Sequence, residues 1–132
     1  MNNIVFYFSG TGNSLYVAKT IADELGNCEI ISMAKSENYV LSKNYDNIGF
    51  IYPNYFCGLP KRVIKFIENI DLSNNLNTYY FSIATIGGNI GNAVYQMYEL
   101  FFNRHGIKIN NCQKLKMYQN YVNFHKMKKK CF

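Results

Sequence analysis

The sequence contains no long apolar run and no recognisable leader. None of its hydrophobic stretches approaches the roughly 18 consecutive apolar residues that a membrane-spanning helix needs. The first residues also lack the basic region and the cleavage site of a signal peptide. We therefore expect a cytoplasmic protein without a membrane span.

Paired cysteines are missing as well. The four cysteines, Cys28, Cys57, Cys112 and Cys131, form no C-x-x-C pair and no spacing typical of metal ligands. This pattern predicts free thiols in a reducing compartment rather than a disulfide framework. It also predicts no metal site.

Acidic residues are absent from the last quarter of the chain. Residues 1–99 hold six Lys/Arg and all eight Asp/Glu, whereas residues 100–132 hold eight Lys/Arg and no acid. We divide the chain into a domain over residues 1–122 and a short basic tail over residues 123–132. The tail could meet an acidic partner, nucleic acid or a membrane surface, or it could be a solvated terminus. We expect no specific nucleic-acid partner.

What the chain does contain is an alternation of strand and helix patterns over 132 residues, enough for one packed domain. Short apolar runs and helical spacing predict strands at 4–8, 28–32, 47–53, 78–85 and 107–118, and helices at 14–25, 37–41, 60–71 and 92–105. The first helix should face the sheet through Leu15, Ala18, Ala22 and Leu25. The alternation predicts an α/β fold with a parallel sheet covered on both faces.

Three loops of unusual composition leave the predicted strands at their carboxyl ends: a first loop (residues 9–14), a second loop (residues 53–59) and a third loop (residues 85–92). Ligands of open parallel sheets bind at this end. The first loop, SGTGNS, begins a helix, whose unpaired N–H groups and dipole favour an anion. It has no lysine and only two glycines, which excludes a Walker loop and G-x-G-x-x-G. Phosphate is the expected guest, and an ordinary tight turn is the alternative.

The spacing S-x-T-G-x-S after a first buried strand resembles the phosphate loop of flavodoxins. YPNYFCGLP, residues 52–60, and ATIGGNIGNA, residues 84–93, resemble the two flavin-ring loops of a flavodoxin-like family that is often fused to a bacterial-type ferredoxin module. The likeness runs from about Asn3 to about Tyr121. It implies a doubly wound five-stranded parallel sheet with strand order 2-1-3-4-5.

The resemblance also implies noncovalently bound FMN. Its phosphate would lie on the first loop, and its ring would lie between the other two loops, with Tyr55 as the first choice for the covering aromatic and Phe56 as the second. The alternative for Tyr52, Tyr55 and Phe56 is packing of the loop against the core. The implied cofactor residues are Ser9, Gly10, Thr11, Gly12, Asn13, Ser14, Pro53, Asn54, Tyr55, Phe56, Cys57, Gly58, Thr85, Gly87, Gly88 and Asn89.

The sequence departs from this family in three respects. It lacks the cysteine run of the ferredoxin module, so no iron–sulfur cluster is expected. Too few residues follow the fifth strand for a normal fifth helix, so the C-terminal helix is expected to be missing or shortened, and a partly bare sheet face favours a homodimer. Flavodoxins are usually acidic, so the basic tail argues against carrying their partners over.

These patterns predict an FMN-binding electron-transfer protein or small flavin oxidoreductase, with redox partner proteins of unknown identity. Electron transfer requires no catalytic acid or base, and we predict no catalytic residue. The alternative is a truncated domain that no longer holds FMN and serves as an interaction or structural module. A third hypothesis is a quinone or nitro-compound reductase that uses FMN.

Overall fold

The computed structural model describes residues 1–9, 12–55, 58–86 and 92–116. Within these residues the chain alternates between strands and helices. The strands are β1 (Asn3–Tyr7), β2 (Cys28–Ser32), β3 (Asn47–Pro53), β4 (Tyr79–Ile86) and β5 (Asn111–Lys116), and the helices are α1 (Asn13–Leu25), α2 (Lys61–Asn69) and α3 (Ala93–His105). No helix in these ranges is long and apolar enough to cross a bilayer.

The five strands form one parallel sheet in the order β2-β1-β3-β4-β5. The predicted flavodoxin-like fold and strand order are therefore confirmed. All five strands run in the same direction, so the sheet has a carboxyl end, where the strands finish, and an amino end, where they begin. The first, second and third loops all leave the carboxyl end.

The helices cover the sheet as two layers. Alternate strand residues point to opposite faces, and the side chains of Val5, Phe81 and Ile83 pack with α1, whereas those of Phe6 and Phe50 lie in the cluster under α2 and α3. Because both faces are covered, β1, β3 and β4 are almost wholly apolar, as buried parallel strands usually are.

The predicted helix at 37–41 is wrong. The chain instead forms a 3-10 turn at Met33–Lys35, followed by a bend at Glu37 and Asn38, where Asn38 has φ of 52°. Val40 makes a parallel bridge with Asp71, where the Leu41 amide donates to the Asp71 carbonyl at 3.2 Å. Leu41 is buried by this arrangement. Tertiary pairing has therefore overridden a weak local helical pattern.

Two further predictions need correction. The buried face of α1 is centred on Val17, Ala18 and Ile21, and Leu15 and Leu25 are only partly buried. β5 begins at Asn111 rather than at Ile107. The predicted tail, its boundary at residue 122 and the missing fifth helix lie outside the described residues.

Candidate functional site

The first loop connects β1 to α1 through a glycine in the left-handed region. Gly12 has φ of 92° and immediately precedes the first residue of α1, Asn13. The amide of Gly12 donates to the Ser9 hydroxyl oxygen at 2.6 Å, which draws the loop into a turn. No side chain caps α1, and its first turn contains no acid. The amides at this helix start therefore face an environment that suits an anion. Gly10 and Thr11 lie outside the described residues.

Ser14 joins the first loop to the end of β4. Its hydroxyl lies 3.3 Å from the Thr85 hydroxyl, and both side chains are buried, with exposures of 1% and 4%. Thr85 also contacts the Tyr52 carbonyl at 3.5 Å. The structure thus brings together two predicted site residues that are 71 positions apart in the sequence.

Asn54 joins the second loop to the third. Its backbone amide donates to the Thr85 carbonyl at 2.9 Å. Its side-chain Oδ1 accepts from the backbone amide of Ala93, the first residue of α3, at 3.1 Å. The Asn54 side chain is 7% exposed. Sequence reasoning assigned Asn54 to the cofactor, and the structure shows that Oδ1 of this residue caps a helix.

Tyr55 and Gly58 close a tight turn in the second loop. The Gly58 amide donates to the Tyr55 carbonyl at 2.8 Å, and the Tyr55 amide donates to the Gly58 carbonyl at 3.2 Å. Gly58 has φ of 98°, a conformation that L side chains rarely adopt. The Tyr55 side chain is 42% exposed, so its ring is not part of the core. Phe56 and Cys57, between them, lie outside the described residues.

Gln96, which sequence reasoning missed, holds the second loop from α3. Its Oε1 accepts from the Leu59 amide at 2.7 Å, and a Cβ added to Gly58 would overlap the same side-chain amide. Gln96 follows the third loop by one helical turn. Its place one turn after the third loop was the one feature of the sequence that could have suggested this role. The contact itself joins residues 37 positions apart, which no local pattern reveals.

Tyr52 lies beneath the site rather than in it. Its side chain is fully buried, and its hydroxyl donates to the Ser82 hydroxyl at 3.3 Å. Burial raises the pKa of Tyr52 well above its usual value, so the phenol stays protonated. The packing alternative is therefore correct for this tyrosine. Pro53, the last residue of β3, pairs in register with Thr85.

Thiols and metal ligands do not contribute to the described part of the site. Cys28 and Cys112 are free thiols on β2 and β5, and burial raises the pKa of both, to about 11 for Cys28. Residues 1–9, 12–55, 58–86 and 92–116 contain no cluster of three or more His, Cys, Asp or Glu side chains that could hold a metal ion. The predicted site residues Gly87, Gly88 and Asn89 lie outside these ranges.

Comparison with known proteins gives one family and a set of similar folds. The family model described as a flavodoxin domain matches residues 4–97. An uncharacterized protein of Methanocaldococcus jannaschii is 39% identical over 72 residues, which cover 54% of this chain and 46% of that protein. The match therefore spans slightly less than half the length of this curated relative.

Two solved structures illustrate the shared fold. A candidate flavoprotein from Bacteroides uniformis has a TM-score of 0.67 at 19% identity, covering 90% of this chain and 93% of that one. A flavoprotein from Lactobacillus acidophilus, solved in complex with FMN, has a TM-score of 0.59 at 12% identity, covering 86% of this chain and 92% of that one. At these identities the similarity concerns the arrangement of helices and strands.

Proposed function

The chain belongs to the flavodoxin domain family, as its motifs predict, and from this premise we propose that it binds FMN and acts as an electron-transfer flavoprotein. The observation that carries the proposal is the convergence of three loops at the carboxyl end of the sheet. Ser14 of the first loop contacts Thr85 of the third, and Asn54 of the second caps the helix that follows the third.

The first loop fits a phosphate monoester. Gly12 leaves the amide end of α1 without a side-chain cap, and Ser9 and Ser14 hold hydroxyls beside it. The Ser9 hydroxyl accepts from the Gly12 amide, so its proton remains available for a phosphate. Because the Thr85 hydroxyl donates to the Tyr52 carbonyl, the Ser14 hydroxyl donates to Thr85 and would turn from it to reach the phosphate. The loop has no carboxylate to repel the phosphate and no lysine to neutralise it. Hydroxyls, amides and the helix dipole would therefore hold the anion.

The second loop fits a flat aromatic ring. Tyr55 is substantially exposed at the carboxyl end of β3, although its backbone is held at both of its hydrogen-bonding groups by Gly58. A fixed backbone with an exposed ring suits offset stacking on another aromatic system. Gln96 and Asn54 attach this loop to α3, so the position of Tyr55 is set by the sheet and a helix rather than by the loop alone.

The composition of the three loops favours electron transfer over acid–base chemistry. When bound, FMN supplies one- and two-electron redox chemistry. The loops contain no carboxylate, imidazole or amine side chain, so they offer no ordinary general acid or base. Their residues would bind the phosphate, cover the ring and keep charged side chains away from it.

Titration of the cofactor-free chain with FMN tests the proposal. We expect saturable quenching of flavin fluorescence and a shifted visible absorption band, because the ring would stack on an aromatic side chain. A chain that leaves both signals unchanged does not bind FMN. That result would favour the alternative of an interaction or structural module.

A comparison of FMN with riboflavin tests the phosphate assignment. Ser14→Ala removes a hydroxyl from the first loop, and we expect it to weaken FMN by about 10- to 100-fold, the usual range for a hydrogen bond to a charged group. Riboflavin, which has no phosphate, should be weakened much less. Thr20→Ala on the same helix is the matched control, because the Thr20 hydroxyl bonds only the Tyr16 carbonyl among the contacts described. Equal losses for the two ligands would contradict the assignment.

A further inference from the structure

The charged side chains are distributed unevenly between the two ends of the sheet. At the carboxyl end, five of the six charged side chains in the described ranges are basic: Lys35, Lys61, Arg62, Lys114 and Lys116. Glu37 is the acidic exception, and its carboxylate accepts from Arg62 at 3.1 Å. The end of the molecule that carries the candidate site is therefore electropositive.

The amino end has the opposite balance. Six of the nine charged side chains that the structure describes there are acidic: Asp23, Glu24, Glu29, Asp46, Glu68 and Asp71. The basic ones are Lys43, Arg104 and Lys108, and Lys43 forms an ion pair with Glu29 at 3.4 Å. The two ends together give the domain an electrostatic dipole along its strands, which orients an approaching charged partner.

Three exposed tyrosines lie at the electropositive end. Tyr16 in the first turn of α1, Tyr55 in the second loop and Tyr95 in the first turn of α3 are 45%, 42% and 55% exposed. Tyrosine is enriched among the residues that contribute most to protein–protein binding, because its ring gives a large contact area at a low cost in side-chain entropy. The Tyr95 hydroxyl donates to the Glu99 carboxylate at 2.7 Å, so one acidic side chain from the middle of α3 lies beside these rings. Three exposed tyrosines at one end of the domain are more than isolated exposed side chains.

We propose that the carboxyl end of the sheet is the docking surface for an acidic protein. Lys35 follows β2 and Lys114 lies in β5, the two outer strands, so the basic groups are separated by four strand spacings, roughly 19 Å at about 4.8 Å each. That width matches a protein footprint of about 800 Å² per partner. The lysines steer the partner, and the tyrosines between them contact it.

The distribution of these cations favours a protein over nucleic acid. They are divided among three separate elements as Lys35, the pair Lys61 and Arg62, and the pair Lys114 and Lys116, whereas a strand of phosphates is bound by cations that follow one continuous track. Arg62, the one guanidinium among them, is already bonded to Glu37 and to the Ala34 carbonyl.

Lys35, Lys61 and Lys114 are presented with or without FMN, whereas Tyr55 is the ring that would cover FMN. The proposal is therefore tested through the lysines and Tyr95, and it can fail or succeed independently of the FMN proposal.

Binding of an acidic [2Fe–2S] ferredoxin, used as the probe, tests the docking surface at low and at high salt. The test variant is Lys35→Glu/Lys61→Glu/Lys114→Glu, and the matched control is Lys43→Glu/Arg104→Glu/Lys108→Glu at the amino end, which changes the net charge by the same amount. We expect the test variant to lose about tenfold or more in affinity and the control to lose less than about twofold, since only the first set faces the partner. High salt should remove most of the difference. Circular dichroism of each variant verifies its fold.

A second set of measurements distinguishes the possible occupants. Basic cytochrome c should not compete with the ferredoxin, because the acidic surface lies at the amino end. Tyr95→Ser should weaken the ferredoxin without changing the salt dependence. Equal losses from reversals at the two ends would overturn the proposal, because binding would then follow net charge alone. Tighter binding of a single-stranded RNA oligonucleotide, or of vesicles containing phosphatidylserine, than of the ferredoxin would also overturn it.

Discussion

The two ends of the sheet use the same kinds of polar side chain for different purposes. At the amino end, asparagines connect neighbouring strands directly. The side-chain Nδ2 of Asn3 donates to the Gly26 carbonyl at 2.8 Å, and its Oδ1 accepts from Nδ2 of Asn47 at 2.9 Å. Oδ1 of Asn110 accepts from the backbone amide of Tyr80 at 2.8 Å. These contacts hold the strands where they begin.

At the carboxyl end the polar side chains hold loops instead. Ser14, Asn54 and Gln96 each reach from one loop or helix to another, and the exposed Tyr55 lies within the framework they form. The contrast shows that buried hydrogen bonds at one end serve stability, whereas those at the other fix the geometry of a surface open to a ligand. Mutations at the two ends should therefore separate unfolding from binding.

The largest loss of stability should come from Asn75 at the amino end. Its Oδ1 accepts from the Tyr45 amide at 2.8 Å and from the Thr78 hydroxyl at 3.1 Å, and its Nδ2 donates to the Lys43 carbonyl at 3.0 Å. Asn75→Ala leaves the Tyr45 amide and the Lys43 carbonyl without their partner, whereas the Thr78 hydroxyl keeps the Tyr45 carbonyl at 2.9 Å. We expect a loss of about 3 kcal/mol in the free energy of unfolding. Urea denaturation measures it.

Asn75→Asp is the comparison variant, because it keeps the acceptor for the Tyr45 amide but loses the donor to the Lys43 carbonyl and places a charge at a buried position. A loss smaller than that of alanine would show that the acceptor outweighs the buried charge. FMN affinity of the folded fraction should stay within about twofold of wild type in both variants, since mutations at distant independent sites usually add. A large specific loss of FMN binding would show that the two ends are coupled.

Gln96→Leu should affect both properties at the carboxyl end. The Leu59 amide loses its acceptor, which we expect to cost about 1–2 kcal/mol of stability, and the second loop loses its attachment to α3. FMN and riboflavin should weaken by the same factor, because this loop would contact the ring and not the phosphate. Gln96→Glu keeps an acceptor oxygen and should restore most of the affinity; a loss equal to that of leucine would contradict this role.

Asn54→Ala should have a smaller effect. It removes the acceptor of the Ala93 amide at the start of α3, and loss of such a cap costs about 1 kcal/mol. Asn54→Asp retains the acceptor and should lose less than alanine in thermal denaturation. If alanine and aspartate destabilise equally, the Oδ1 acceptor contributes nothing to the stability of α3.

The sequence predicted the architecture better than it predicted these attachments. Strands β2 and β3 have the predicted bounds, since each is a short apolar run between strong turn signals. The three loops were found because their glycines and hydroxyl residues are local features. Gln96 and the capping role of Asn54 were missed because each contact joins residues more than 35 positions apart, and such contacts leave no local period.

The smallest expected effect is an acid sensitivity at the amino end, due to His105. Its Nε2 lies 2.7 Å from the Ile67 carbonyl. Burial and the nearby positive charge of Arg104 lower the pKa of His105 from the usual 6.5. The hydrogen bond to Ile67 and the negative charge of Asp71 oppose this shift but do not cancel it. The unfolded chain then takes up the proton more readily, so stability falls as the pH drops below 6.5 and levels off below the folded-state pKa.

His105→Gln keeps a side-chain donor for the Ile67 carbonyl but cannot titrate, so its urea midpoint should decline less than that of wild type between pH 7 and pH 5. Parallel declines in the two proteins would assign the acid sensitivity to other groups.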